Sequence, residues 1–437
     1  MRKIILLAIV FCALGSVLAG EPPSRYGVDA PELARLGNYP VGVKTLHLVQ
    51  HGQIDVLSFD AAKGSAPSSD RLLAVDLWYP ASPRPGAPRA VYTARFPAEP
   101  PAAPVSFSVP GIAVRDAPPS GTRWPLVVVS HGYSNDPAAM TWLTENLASK
   151  GYVVAAIRHD DPLITDRTRF VQPLMRRPLD IAFVAQTLQS TLAADQLVDP
   201  SRTALVGFSM GGYGVLTAAG AALDPAGGGV KLVPGGLMLQ FARDGAMRDA
   251  VTVKGLRAVV AISPVGGGSL AAWGAEGVRM IRAPLLLIAG DNDRTVDYTT
   301  GARAIFDEAR GAHRYLLTFK GGGHSIGLSP APDSMRHKLW DQDWFEDPVW
   351  RKERVNAINA HFITAFLDRY VKGDESRAAY LDLPTIESAA GVWPPATPPL
   401  AYDAYSPGTA DITAWKGFQR NHAAGLQLLQ AESESPP

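Results

Sequence analysis

Short apolar runs alternate with helix-patterned spacers through most of this chain, and that alternation limits its fold more than any other feature. The runs are 72–79 (LLAVDLWY), 126–130 (LVVVS), 152–157 (YVVAAI), 203–206 (TALV), 258–262 (AVVAI), 285–289 (LLLIA) and 315–319 (YLLTF). Most are apolar at successive positions, which suits strands of a parallel sheet covered on both faces. The spacers carry a helical period instead. Met140, Leu143 and Leu147 share one face of 138–150. Ile181, Val184, Ala185 and Leu188 do so in 178–192, with Pro178 read as the helix start. Ile358, Phe362, Ala365, Phe366 and Tyr370 form the stripe of 355–371. The expected class is α/β, a mostly parallel, doubly wound sheet with helices on both faces and inserted loops or a small cap.

Three regions break the rhythm. Residues 81–125 are Pro-rich and read as an irregular surface excursion. Residues 224–253 carry two Gly clusters and are a candidate lid. From 387 to 437 the chain is Pro- and Ala-rich and reads as an extension. At the other end, Arg2 and Lys3 precede an apolar run over 4–18, followed by Val17-Leu18-Ala19. This has the form of a secretory signal peptide, 1–19, cleaved near Ala19. The run falls short of the roughly 20 apolar residues of a spanning helix, so no stable membrane anchor is expected. Residues 20–69 then form an N-terminal extension, and 70–386 the catalytic domain. Export to the periplasm or exterior follows.

The single cysteine, Cys12, lies inside the leader. The mature chain would thus lack a disulfide, a thiol nucleophile and a thiolate metal site. Lys+Arg and Asp+Glu are both 41 among 437 residues. No basic field invites nucleic acid. Asp160-Asp161 and Asp291-Asn292-Asp293 offer carboxylates without a ligand loop, so neither a metal nor another cofactor is expected.

The run over 203–206 leads into Gly207-Phe208-Ser209-Met210-Gly211, a G-x-S-x-G pattern with helical periodicity after it. A strand that turns abruptly into a helix needs small residues two positions to either side of the apex. The apex hydroxyl is then exposed beside the N–H groups of the helix start. A serine hydroxyl is a weak nucleophile until a base takes its proton. Two later loops supply partners in the order Ser, Asp, His. LLLIAG leads into Asp291-Asn292-Asp293, and YLLTF leads into Lys320-Gly321-Gly322-Gly323-His324. His324 is the candidate base. Asp293, farther past the strand end, is preferred to Asp291 as the acid that holds the imidazole tautomer. His131 and His159 precede the serine and are assigned structural roles; His361 sits in a helical pattern and is assigned to packing. The candidate oxyanion donors are the N–H of Met210, next to the nucleophile, and the N–H of Tyr133, in the turn after LVVVS. Trp340, Trp344, Phe345 and Trp350 follow the histidine loop and are read as packing or as pocket wall.

LVVVSHGYS, GFSMGGY, LLLIAGDNDRTV and TFKGGGHS together resemble the α/β-hydrolase superfamily. LWYPA, GYVVAAIRHDD and HFITAFLDRYVKGD resemble its bacterial dienelactone hydrolase-like and platelet-activating-factor acetylhydrolase-like members. The resemblance covers roughly residues 70–375. It implies a Ser209–His324–Asp293 triad, with Tyr133 and Met210 as the oxyanion hole. The Tyr/Met pair is also similar to secreted polyester hydrolases and cutinases. Dienelactone hydrolases of the small cytosolic type use a cysteine nucleophile, whereas this chain has Ser209. The implied activity is hydrolysis of a small or lipid-like carboxylic ester through an acyl-enzyme. Acyl transfer or amide cleavage by the same triad, and a non-catalytic binding scaffold, are the alternatives.

Overall fold

The computed structural model describes residues 26–393 and 412–434. The leader and most of the Pro-rich part of 387–437 lie outside them. The described residues build one 11-stranded sheet. In chain order its strands are β1 (Val41–Ile54), β2 (Ser68–Pro80), β3 (Arg89–Phe96), β4 (Val105–Arg115), β5 (Trp124–Ser130), β6 (Val153–Arg158), β7 (Val198–Phe208), β8 (Leu256–Ile262), β9 (Leu285–Gly290), β10 (Arg314–Phe319) and β11 (Leu426–Ala431). The spatial order is β11-β10-β9-β8-β7-β5-β6-β2-β1-β4-β3. From β6 through β10 every neighbouring pair is parallel. All seven apolar runs fall on strands of this sheet.

Neither flank was read from the sequence. β1 pairs antiparallel with β2 along most of its length. The supposed excursion over 81–125 contains the β3–β4 hairpin. In β3, Ala90, Tyr92, Ala94 and Phe96 are buried and the residues between them are exposed. That is the two-residue period of a strand with one wet face. Near the other end, β11 closes the sheet against β10.

Each face carries its own apolar core. Strand alternation divides the side chains: Val127 and Val129 of β5 point to one, Leu126 and Val128 to the other. The first core is covered by α1 (Thr141–Ser149). The second is covered by α2 (Val171–Ala194) and α3 (Met210–Ala218). A fourth helix, α4 (Lys352–Tyr370), joins α1 on the first face.

Helix α2 begins seven residues before Pro178, which therefore lies inside it rather than at its start. A proline there cannot donate to the carbonyl four residues back, that of Leu174. The Tyr213 hydroxyl of α3 donates to the Leu174 carbonyl at 2.9 Å and replaces the missing bond. The helix continues because a neighbour repairs it.

His361 of α4 is fully buried. Its Nδ1 accepts the Leu33 N–H at 3.1 Å, and rings of Phe362, Tyr380 and Phe418 surround it. Burial, with the charges of Lys150 and Arg377, lowers its pKa to about 3. Between pH 6.5 and 3 the unfolded chain binds a proton at this position that the folded chain refuses. Stability therefore drops as the pH is lowered through that window, by about 1.4 kcal/mol per unit for one group. His361→Asn keeps an acceptor for Leu33 and removes the titration. Its urea-unfolding free energy should lose that much less per unit between pH 6 and 4 than the wild type. An identical pH slope would refute the assignment.

Candidate active site

Ser209 sits between β7 and α3 with φ 54° and ψ −114°, a backbone conformation rare for a side-chain-bearing residue. Both flanking glycines are sterically required. A Cβ on Gly207 would come 2.2 Å from the Gly211 carbonyl oxygen. One on Gly211 would come 2.0 Å from the Ser130 carbonyl oxygen. The apex is secured by the Ser209 N–H, which donates to Ile262 O, and by Ser209 O, which accepts from Tyr213 N and Val265 N.

The other two candidates meet this serine. His324 Nε2 lies 2.9 Å from Ser209 Oγ, and His324 Nδ1 lies 2.8 Å from Asp293 Oδ2. Asp293 Oδ1 accepts the N–H groups of Thr295 and Val296 at 2.9 and 3.2 Å. Burial raises the Asp293 pKa. The bond and charge of His324 and the two loop amides outweigh it and hold the carboxyl below its ordinary value. The anion is thus available beside the imidazole Nδ1–H. Asp291 is exposed and accepts the Gly321 N–H.

The acid and histidine loops brace one another. Asn292 N donates to Gly322 O, and a Cβ on Gly290 would come 2.1 Å from that same oxygen. Behind His324, three successive carbonyls are each capped by a side chain. Lys352 Nζ donates to Ser325 O, Asn359 Nδ2 to Ile326 O and Trp142 Nε1 to Gly327 O. Lys352 is almost fully buried, and burial lowers its pKa to about 8.

Ser209 and His324 open on a cleft of about 1040 Å³. Tyr133 and Met210 both line it. Neither backbone N–H has an acceptor among the described residues. Apolar walls come from Phe170, Phe208, Val265, Leu270, Val296 and Leu328. Sequence reasoning missed these. Their common signal is position: most stand on loops that leave the carboxyl ends of parallel strands, where ligands bind in open α/β sheets. The aromatic group after His324 divides. Trp344 lines the cleft and donates to Asn135 Oδ1 at 2.7 Å. Phe345 packs against Phe96 and Phe107, and Trp350 against Phe319. No residue of 224–253 lines the cleft; Met238 and Phe241 of that stretch are buried in the second core.

His131 and His159 are buried under the turn that carries Tyr133. Asp161 is engaged by Arg177 and the Ser134 N–H. Among the described residues no three His, Cys, Asp or Glu side chains gather as metal ligands. No described helix is long and apolar enough to cross a membrane.

Comparison with known proteins agrees with this architecture. Residues 116–225 match the model of a family described as PET hydrolase-like. The matched stretch holds the Tyr133 turn and the serine elbow, and ends before the acid and histidine loops. The chain is 33% identical over 100 residues to cutinase est2 of Thermobifida alba, and 34% over 100 residues to cutinase 2 of Thermobifida cellulosilytica. Each alignment covers 23% of this chain, and 31% and 36% of the respective cutinase. The chain thus spans about a third of the length of these relatives. A ferulic acid esterase from Streptomyces cinnamoneus superposes with a TM-score of 0.53 at 22% identity, over 79% of this chain and 94% of that one. The chain thus has an α/β-hydrolase fold.

Proposed function

We propose that the protein is an exported serine hydrolase that cleaves carboxylic esters. The observation that carries this reading is the unbroken hydrogen-bonded chain from Ser209 Oγ through His324 to Asp293, opening on a largely apolar cleft. His324 takes the serine proton as Oγ attacks the ester carbonyl. The Met210 and Tyr133 N–H groups receive the negative charge that develops on the carbonyl oxygen. His324 then protonates the leaving alcohol. Water, activated by the same imidazole, releases the acid and restores Ser209. The anionic Asp293 keeps the Nδ1–H tautomer and stabilises the imidazolium. Export rests on the leader, with cleavage near Ala19.

Ester rather than another acyl bond is supported by the local matches to cutinases and to the PET hydrolase-like family. A fluorophosphonate probe tests the mechanism. It should add once per chain, at Ser209 in the peptide map, and abolish turnover of p-nitrophenyl butyrate. Labelling elsewhere, or turnover that survives full labelling of Ser209, would overturn it. A chain-length series of p-nitrophenyl esters then measures which acyl groups the apolar walls accept.

A further inference from the structure

Arg177 stands out among buried groups that the reaction does not touch. Its side chain is fully buried on α2, in register with the apolar stripe of Ile181, Val184, Ala185 and Leu188. The close approach of α2 and α3 makes room for it: a Cβ on Gly214 would come 2.6 Å from Ile181 Cδ1 and 3.1 Å from Arg177 Cβ. Desolvating a guanidinium is costly unless its donors are used. Here Nη1 donates to His131 O, and to Ser130 Oγ at 3.2 Å. Nη2 donates to Gly132 O at 3.1 Å and pairs with Asp161. Asp161 in turn accepts the Ser134 N–H at 3.0 Å. The turn is gripped on both sides of Tyr133.

Resting on the esterase reading above, we infer that Arg177 is a positioning residue for the oxyanion hole, acting through the Gly132–Tyr133 peptide. That peptide is planar and trans, so its C=O and N–H point in opposite directions. Fixing Gly132 O on the Arg177 side aims the Tyr133 N–H the other way, toward the cleft. A cationic donor on the carbonyl also polarises the peptide and strengthens its N–H as a donor. A second donor supports the same oxygen: His131 Nδ1 lies 2.7 Å from Gly132 O. His131 Nε2 accepts the His159 N–H at 3.3 Å, which leaves the ring proton on Nδ1. Burial and the Arg177 charge lower the His131 pKa to about 3, so this neutral tautomer persists at working pH.

Removing Arg177 alone would strand the Asp161 carboxylate in the interior. The test therefore uses Arg177→Met/Asp161→Asn, which removes both charges and keeps an acceptor for Ser134. Its kcat for p-nitrophenyl butyrate should fall about 100-fold or more, with KM within about threefold, as expected when one oxyanion donor is misaimed. Affinity for an aliphatic trifluoromethyl ketone, which forms a tetrahedral adduct on the serine, should fall in parallel. Arg177→Lys keeps the charge without the fork. It should show a smaller kcat loss at unchanged KM, and it gives the readout should the double variant fail to fold. Natively folded variants with wild-type kcat would overturn the proposal. The control is Ser209→Ala. Activity surviving there would remove the esterase reading itself, whereas activity lost there and normal in the Arg177 variants would remove only the role of Arg177.

Discussion

Ser209→Ala is expected to reduce kcat for p-nitrophenyl butyrate by about 10⁴- to 10⁶-fold, because the covalent route disappears with the hydroxyl. The residual rate would come from the cleft and the oxyanion donors acting on water. The substitution removes one oxygen from an apex held by backbone bonds to Ile262, Val265 and Tyr213, none of which involves the side chain. Ser209 also carries positive-φ strain that alanine shares. Thermal unfolding should therefore move by no more than a few degrees. Kinetics and calorimetry on the same preparation check both halves. A variant with more than a tenth of wild-type kcat would exclude Ser209 as nucleophile. A variant both inactive and strongly destabilised would leave its lost rate explained by misfolding, and Ser209→Gly would then separate the causes.

The legible parts of this chain are those whose constraints are local. The elbow could be read because Gly207 and Gly211 are demanded by backbone oxygens within a few ångströms, and a steric demand of that kind leaves a mark in the sequence. The parallel strands were visible because burial on both faces forces continuous apolar runs. The antiparallel flanks were not. β1 and β3 each turn one face to water; β1 fell in the stretch read only as an N-terminal extension, and the polar alternation of β3 fell in the Pro-rich stretch read as an irregular excursion. The α2 start was misplaced because, by itself, a proline fits the first turn of a helix and not its interior; only the distant Tyr213 hydroxyl makes it tolerable inside.

The cleft walls were illegible for a different reason. Phe170, Leu270, Val296 and Leu328 come from four separate loops, and nothing in their own neighbourhoods says that they face one space. Arg177 lies between these cases. A charged residue in register with a buried stripe is an anomaly that the sequence displays. Its partners, Gly132 O and Asp161, emerge only when β5 and β6 lie side by side. A charge at a helix's apolar position is thus a cue worth following even where its partner is unknown.

The acid position allows the second large effect. Asp293→Asn is expected to lower kcat/KM by about 10⁴-fold, while Asp291→Asn changes it by less than about threefold. The asymmetry follows from the bonds each carboxylate makes. Asp293 Oδ2 accepts from His324 Nδ1, and its other oxygen is committed to the Thr295 and Val296 amides. An asparagine there would keep its carbonyl oxygen on those two amides, leaving its NH₂ to face the ring. An NH₂ facing Nδ1 selects the opposite tautomer, with the proton on Nε2, where it cannot accept from Ser209. Asp291 only ties the exposed Gly321 amide, and an asparagine oxygen can do the same. Equal losses in the two variants would return the acid role to Asp291 or to a group outside this pair.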